Sequence, residues 1–153
     1  MDRDLYAAQL FLDGYNCAQA ITVAFSDVTG LDKDFSARMA SSFGGGMGRM
    51  REVCGAVSGM LMVAGLLYGY DSSCDDAAKK AHYKLVQELA GAFREEVGSI
   101  VCREILKNPP SDPNPTPRTA EFYKQRPCTR MVMTAARILD AYILQNPPVQ
   151  SNG

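Results

Sequence analysis

Apolar residues recur at helical spacing along almost the whole chain, and glycine or proline stands wherever the period breaks. No other feature constrains the fold as tightly. It predicts an all-α protein, a compact bundle of about six helices with a Pro-rich surface loop. Leu5, Ala8, Leu10, Phe11 and Leu12 mark a first short helix that Gly14 ends in a left-handed cap. Asn16 is a natural N-cap for a second, Cys17 to about Phe25. Asp27 to Leu31 reads as a turn, and a third stretch starting at Asp34 or Phe35 carries Ala37, Met39 and Ala40.

That stretch runs into Gly44-Gly45-Gly46-Met47-Gly48, too rich in glycine to stay helical. An apolar helix follows, about Val53 to Tyr68, whose Gly55, Ala56, Ser58 and Gly59 allow another backbone to approach closely. Ser72 or Ser73 caps the next helix, which carries Tyr83, Val86, Leu89, Ala90 and Phe93 and ends at Gly98. Ser99 caps a short helix, Ile100 to Lys107. Asn108 to Thr119 holds five prolines and must cross the surface irregularly; the last helix runs from Pro127 to about Leu144. The expected organisation is one helical domain, residues 1–145, with a flexible tail at 146–153.

The Val53–Tyr70 segment is apolar but holds four glycines and opens beside Arg49, Arg51 and Glu52, so it reads as a core helix and no membrane span is expected. With 16 Lys and Arg against 17 Asp and Glu, the near-neutral chain lacks the basic excess of a nucleic-acid binder. Met1-Asp2-Arg3-Asp4 has no signal-peptide layout, which makes the cytoplasm the expected compartment. A reducing cytosol does not favour static disulfides, so the five cysteines call for another explanation.

Cys17, Cys54, Cys102 and Cys128 all fall in the first turn of an expected helix. Free backbone N–H groups and the positive end of the helix dipole favour a thiolate there. The nearest pair, Cys102 and Cys128, is 26 residues apart, so there is no Cys-x-x-Cys unit of the zinc-ribbon or thioredoxin kind. A shared site has to be assembled from four distant helices. Cys74 stands among Asp71, Asp75 and Asp76, whose charge opposes a thiolate, and is left out.

These cysteines sit in recognisable surroundings: Gly14-Tyr15-Asn16-Cys17-Ala18-Gln19-Ala20, Phe43-Gly44-Gly45-Gly46-Met47-Gly48, Cys54-Gly55-Ala56-Val57-Ser58-Gly59, Phe93, Gly98-Ser99, Cys102-Arg103-Glu104-Ile105-Leu106 and Cys128. Together they resemble the C_GCAxxG_C_C family of redox-active proteins over nearly the whole chain. The match is to the Cys-Gly-Ala-x-x-Gly form, since Val53 rather than glycine precedes Cys54. The resemblance implies a small all-helical protein with a redox-active or metal-bearing site at the four cysteines, but it supplies no reaction. Covalent haem is not expected without Cys-x-x-Cys-His.

Three accounts of the four cysteines stand open. As a thiol–disulfide couple they would make the protein a thiol-dependent oxidoreductase passing electrons to a redox partner the sequence does not identify. As metal ligands, Cys17, Cys54, Cys102 and Cys128 would hold an iron–sulfur cluster or Zn²⁺ for electron transfer or sensing, whereas the dithiol chemistry requires no cofactor. As inert buried side chains they would belong to a structural or interaction module. Gly45, Gly46 and Gly55 are the positions where backbone would pass closest to a bound group. The glycine run lacks the Lys-Ser/Thr of a P-loop and reads first as a tight turn. Arg49 and Arg51 raise the potential near Cys54 or are simply solvated; His82 reads as an ordinary mid-helix residue. Met47, Met50, Met60 and Met62 read as filling core gaps, and Tyr15 and Tyr68 as neighbours of the site. The glycine-lined helix also suits a homodimer interface.

Overall fold

The computed structural model describes residues 2–149, and the end of the expected tail, residues 150–153, lies outside them. The helices in chain order are α1 (Arg3–Leu12), α2 (Cys17–Ala24), α3 (Ser26–Thr29), α4 (Lys33–Ala40), α5 (Gly44–Met47), α6 (Gly55–Tyr68), α7 (Asp76–Val97), α8 (Cys102–Leu106), α9 (Ala120–Gln125) and α10 (Cys128–Gln145). Six of them, α1, α2, α4, α6, α7 and α10, have eight residues or more and build the bundle. The protein is all-α: among the described residues the extended backbone pairs only at one antiparallel bridge, Val53 with Val101. No described helix is long and apolar enough to cross a membrane.

Local chemistry explains the ends. Asn16 caps α2 in a reciprocal box, its side chain accepting from the Gln19 amide while the Gln19 side chain accepts from the Asn16 amide. Gly14 and Gly98 take the positive φ expected of residues after a helix end. Asp75, not Ser72 or Ser73, caps α7 by accepting from the Ala78 amide. Thr119 caps α9, a short helix the sequence reading did not anticipate. The expected turn after α2 contains one helical turn, α3. Asn146, in the expected tail, is tied down, for the Tyr68 hydroxyl donates to its carbonyl.

The core is a continuous cluster in which Phe11, Ile21, Phe25, Met60, Phe93 and Leu139 are almost wholly buried. Each such side chain contributes about 1.5–3 kcal/mol. Helix α10 packs chiefly on α1, and α2 chiefly on α6. The α2–α6 contact is close because Gly59 has no side chain: a Cβ there would stand 2.8 Å from the Ala18 carbonyl oxygen and 2.9 Å from the Ile21 Cβ. The glycine face expected to suit a homodimer is therefore spent inside the bundle. Of the four methionines read as core filler, Met60 is buried, but Met47 and Met50 are exposed.

The glycine segment turns left-handed. Residues 45 to 49 all have positive φ, between 60° and 70°, and the Gly44 carbonyl accepts from both the Gly48 and the Arg49 amides. Glycine takes this conformation freely; Met47 and Arg49 do so at about 1–2 kcal/mol each. At Gly46 glycine is required twice over, since a Cβ would also meet the Cys102 Cβ and the Glu52 nitrogen, each at 2.7 Å.

Candidate functional site

The four cysteines come from four places in the sequence and line one small cavity of about 30 Å³, with Gly45, Gly46, Gly55, Arg51 and Met131 among its other walls. Cys17, Cys102 and Cys128 are the first residues of α2, α8 and α10. Cys54 is not in the first turn as expected; it is the N-cap of α6, with non-helical backbone. Two hydrogen bonds flanking the Val53–Val101 bridge bring Cys54 and Cys102 together. The Cys54 amide donates to the Ile100 carbonyl at 2.7 Å, and the Cys102 amide to the Glu52 carbonyl at 2.6 Å. Cys74 is exposed and does not line this cavity.

A second, wider space of about 300 Å³ opens next to the first. Cys17, Cys128, Gly45 and Arg51 belong to both walls, whereas Cys54 and Cys102 line only the inner cavity. The cysteines thus divide into an outer pair at the mouth and an inner pair behind it. The Pro-rich crossing is irregular, as its prolines dictate, but it is a wall of the site: Pro113, Pro115 and Thr116 line the cleft. Its backbone is held by arginines, the Pro110 carbonyl accepting from Arg51 Nε at 2.9 Å and the Asp112 carbonyl from Arg49 Nε at 2.8 Å.

Position at a helix start does not make all four cysteines acidic. Burial dominates at Cys54, whose thiol is pushed up to about 12 although the Ala56 and Val57 amides oppose the shift. Burial also raises Cys102, against the pull of the Arg51 guanidinium, and α8 has only five residues to supply a dipole. The outer pair behaves as a unit. Hydrogen bonding with Cys17 lowers Cys128 to about 7, with Arg126, Arg118 and Arg51 assisting against burial. The same contact, followed by burial, holds Cys17 well above its ordinary value. The two shifts run in opposite directions, favouring the thiolate on Cys128 and the thiol on Cys17.

Arg51, expected either near Cys54 or solvated, is not solvated, and it shares the wall of the small cavity with Cys54. It is only 4 % exposed, and its Nη1 stands 3.7 Å from the sulfur of Cys102. The left-handed turn aims it inward. Arg118 and Arg126 were missed altogether. Arg126 carried a signal, being two residues from Cys128; Arg118, ten residues from Cys128 across α9, carried none. Tyr68 lies at the far end of α6 with its hydroxyl on Asn146, and Tyr15 lines neither space, though its carbonyl accepts from Arg118. His82, mid-way along α7, packs edge-on against Tyr70 and lines neither space.

The family model described as "Putative redox-active protein (C_GCAxxG_C_C)" matches residues 15–142 of the 153. The chain belongs to the C_GCAxxG_C_C family. The matched span contains Cys17, Cys54, Cys102 and Cys128, together with the left-handed turn and the arginines that surround them. No curated protein and no solved structure matches the chain significantly. The family's description is of redox activity and names no reaction.

Proposed function

We propose that the protein is a thiol–disulfide oxidoreductase in which Cys128 attacks and Cys17 resolves. The observation that carries this reading is the placement of these two cysteines, the two that line both spaces, where the inner cavity meets the open cleft. The Cys128 thiolate attacks one sulfur of a substrate disulfide R–S–S–R; the Cys128–S–R bond forms and the substrate S–S bond breaks. The leaving R–S⁻ takes the proton of the Cys17 thiol. The new Cys17 thiolate attacks the Cys128 sulfur, closes the Cys17–Cys128 disulfide and expels the second R–S⁻, which is protonated by water. Two electrons pass from the dithiol to the substrate. Cys54 and Cys102, held as thiols by burial, stay out of the first exchange.

Single-turnover mass spectrometry of anaerobically reduced protein tests the assignment. With a small disulfide, Cys17→Ser should trap a mixed disulfide at Cys128, and Cys128→Ser should lose the reaction. Equal rates in Cys128→Ser and the unsubstituted protein would overturn it.

A different observation supports a second reading, a four-thiolate centre. All four cysteines face one cavity, and Gly45, Gly46 and Gly55 keep side chains out of its walls. Among the described residues no three cysteine, histidine or carboxylate groups converge as a single metal ion requires, so a zinc site would need the sulfurs to draw together. An iron–sulfur cluster would take the same four thiolates. Cys17, Cys54, Cys102 and Cys128 would then supply the thiolates, and the cluster would supply one-electron chemistry. A native mass spectrum of protein prepared without oxygen separates the two: a mass excess of iron and sulfide favours the cluster, a bare chain the dithiol.

A further inference from the structure

Four arginines, Arg49, Arg51, Arg118 and Arg126, line the cleft outside Cys17 and Cys128, and no described carboxylate lines it. This concentration occurs in a protein of net charge −1. Of the four, only Arg49 has an ion-pair partner among the described residues, Asp112 at 4.0 Å. Arg118 donates to the Phe11 and Tyr15 carbonyls and stacks on Phe11 and Phe122, which fixes its position without neutralising it. Arg126 stacks on Phe122. Most telling is Arg51: almost fully buried, it keeps Nη2 without any hydrogen-bond partner. A buried guanidinium normally satisfies its donors, and carboxylates match its geometry.

The rest of the wall narrows the ligand. The cleft's volume of about 300 Å³ exceeds what an inorganic anion fills, and Phe11, Phe122, Pro113 and Pro115 offer apolar surface for a hydrocarbon segment. We propose that the cleft binds a small-molecule disulfide bearing carboxylate ends, with Arg51, Arg118 and Arg126 holding the anionic groups and the S–S bond against Cys128. The substrate assignment rests on the dithiol reading above; the anion site does not.

The test separates the two. In Cys128→Ser protein, suberate reproduces the shape and charge of 3,3′-dithiodipropionate without its sulfurs. Titration calorimetry should find 1:1 binding that weakens with added salt and falls at least tenfold in Arg126→Gln, while neutral 1,8-octanediol should bind at least tenfold more weakly. In the unsubstituted protein, single-turnover rates with 3,3′-dithiodipropionate, bis(2-hydroxyethyl) disulfide and cystamine, each divided by its rate with free 2-mercaptoethanol thiolate, should favour the dianion over the dication at least tenfold. No suberate binding, together with normalised rates that ignore charge, would overturn the anion site and leave the dithiol reading standing. Salt-sensitive suberate binding without exchange at Cys128 would keep the site and end the dithiol reading, and with it the assignment of a disulfide as the occupant.

Discussion

The Nη1 atom of Arg51 stands 3.7 Å from the sulfur of Cys102, while the Nη2 atom of the same buried side chain meets no acceptor. The same side chain lines both the inner cavity and the outer cleft. Its influence differs on the two sides. At Cys102 burial outweighs it, and the thiol stays raised. At Cys128 it adds to Arg118, Arg126 and the hydrogen bond with Cys17, and together they prevail over burial. Number and direction of neighbouring groups, more than position at a helix start, decide which sulfur is a nucleophile.

The rate of Cys128 alkylation by iodoacetamide should rise through a midpoint at about 7 and level off above it. Replacing Cys17 with alanine removes the leading cause of the depression and should move that midpoint toward 9.0, the ordinary value. If Arg126→Gln raises it by about one unit, the rate at pH 7 falls about fivefold. Peptide mapping of the alkylated protein at each pH checks all three.

Stability should respond to pH in two opposite ways. The folded-state value of Cys128 is depressed, so its contribution is present above its ordinary value of 9.0 and is lost as pH falls through about 7. Cys54 is raised from 9.0 to about 12, so its contribution is present below 9.0 and is lost as pH rises toward 12. Cys17 and Cys102 act in the same direction as Cys54. Urea unfolding should show a decline above pH 9, of about 1 kcal/mol per pH unit from Cys54 alone, and Cys54→Ala should make that decline shallower.

Two glycine substitutions should have opposite signs. Gly46→Ala forces a side chain into positive φ and against Cys102, and should destabilise by about 2–5 kcal/mol. Gly91→Ala, inside α7 with open space around the new Cβ, should stabilise by about 0.5–1 kcal/mol. Chemical denaturation of the two variants in parallel measures both. Equal effects would mean that the left-handed turn is not held as described.

Removing the α2 cap should couple stability to the site. Asn16→Ala loses the side-chain half of the box, the bond accepted from the Gln19 amide, and the side-chain bond to the Ser41 carbonyl, costing about 1–2 kcal/mol. Because Cys17 is the next residue, the alkylation midpoint of Cys128 should rise with it. A midpoint unchanged at about 7 would show that Cys17 is positioned by packing alone.

Sequence alone determined the local features. The 3.6-residue period and the Gly and Pro interruptions identify the long helices, because burial of one apolar face and the backbone limits of those two residues are local effects. The Asn16 cap, the start of α10 beside Pro127 and the separation of Cys74 from the other four cysteines were legible for the same reason. Tertiary structure alone decided the rest. That the glycine run winds left-handed and turns Arg51 inward depends on what its atoms would strike, above all Cys102, 56 residues away from Gly46. That the Pro-rich crossing walls the site depends on Arg49 and Arg51 reaching its carbonyls. Which cysteine is acidic depends on desolvation and on charges brought from α9, its neighbours and the left-handed turn. Burial and electrostatics are set by distances through space, and no spacing along the chain encodes them.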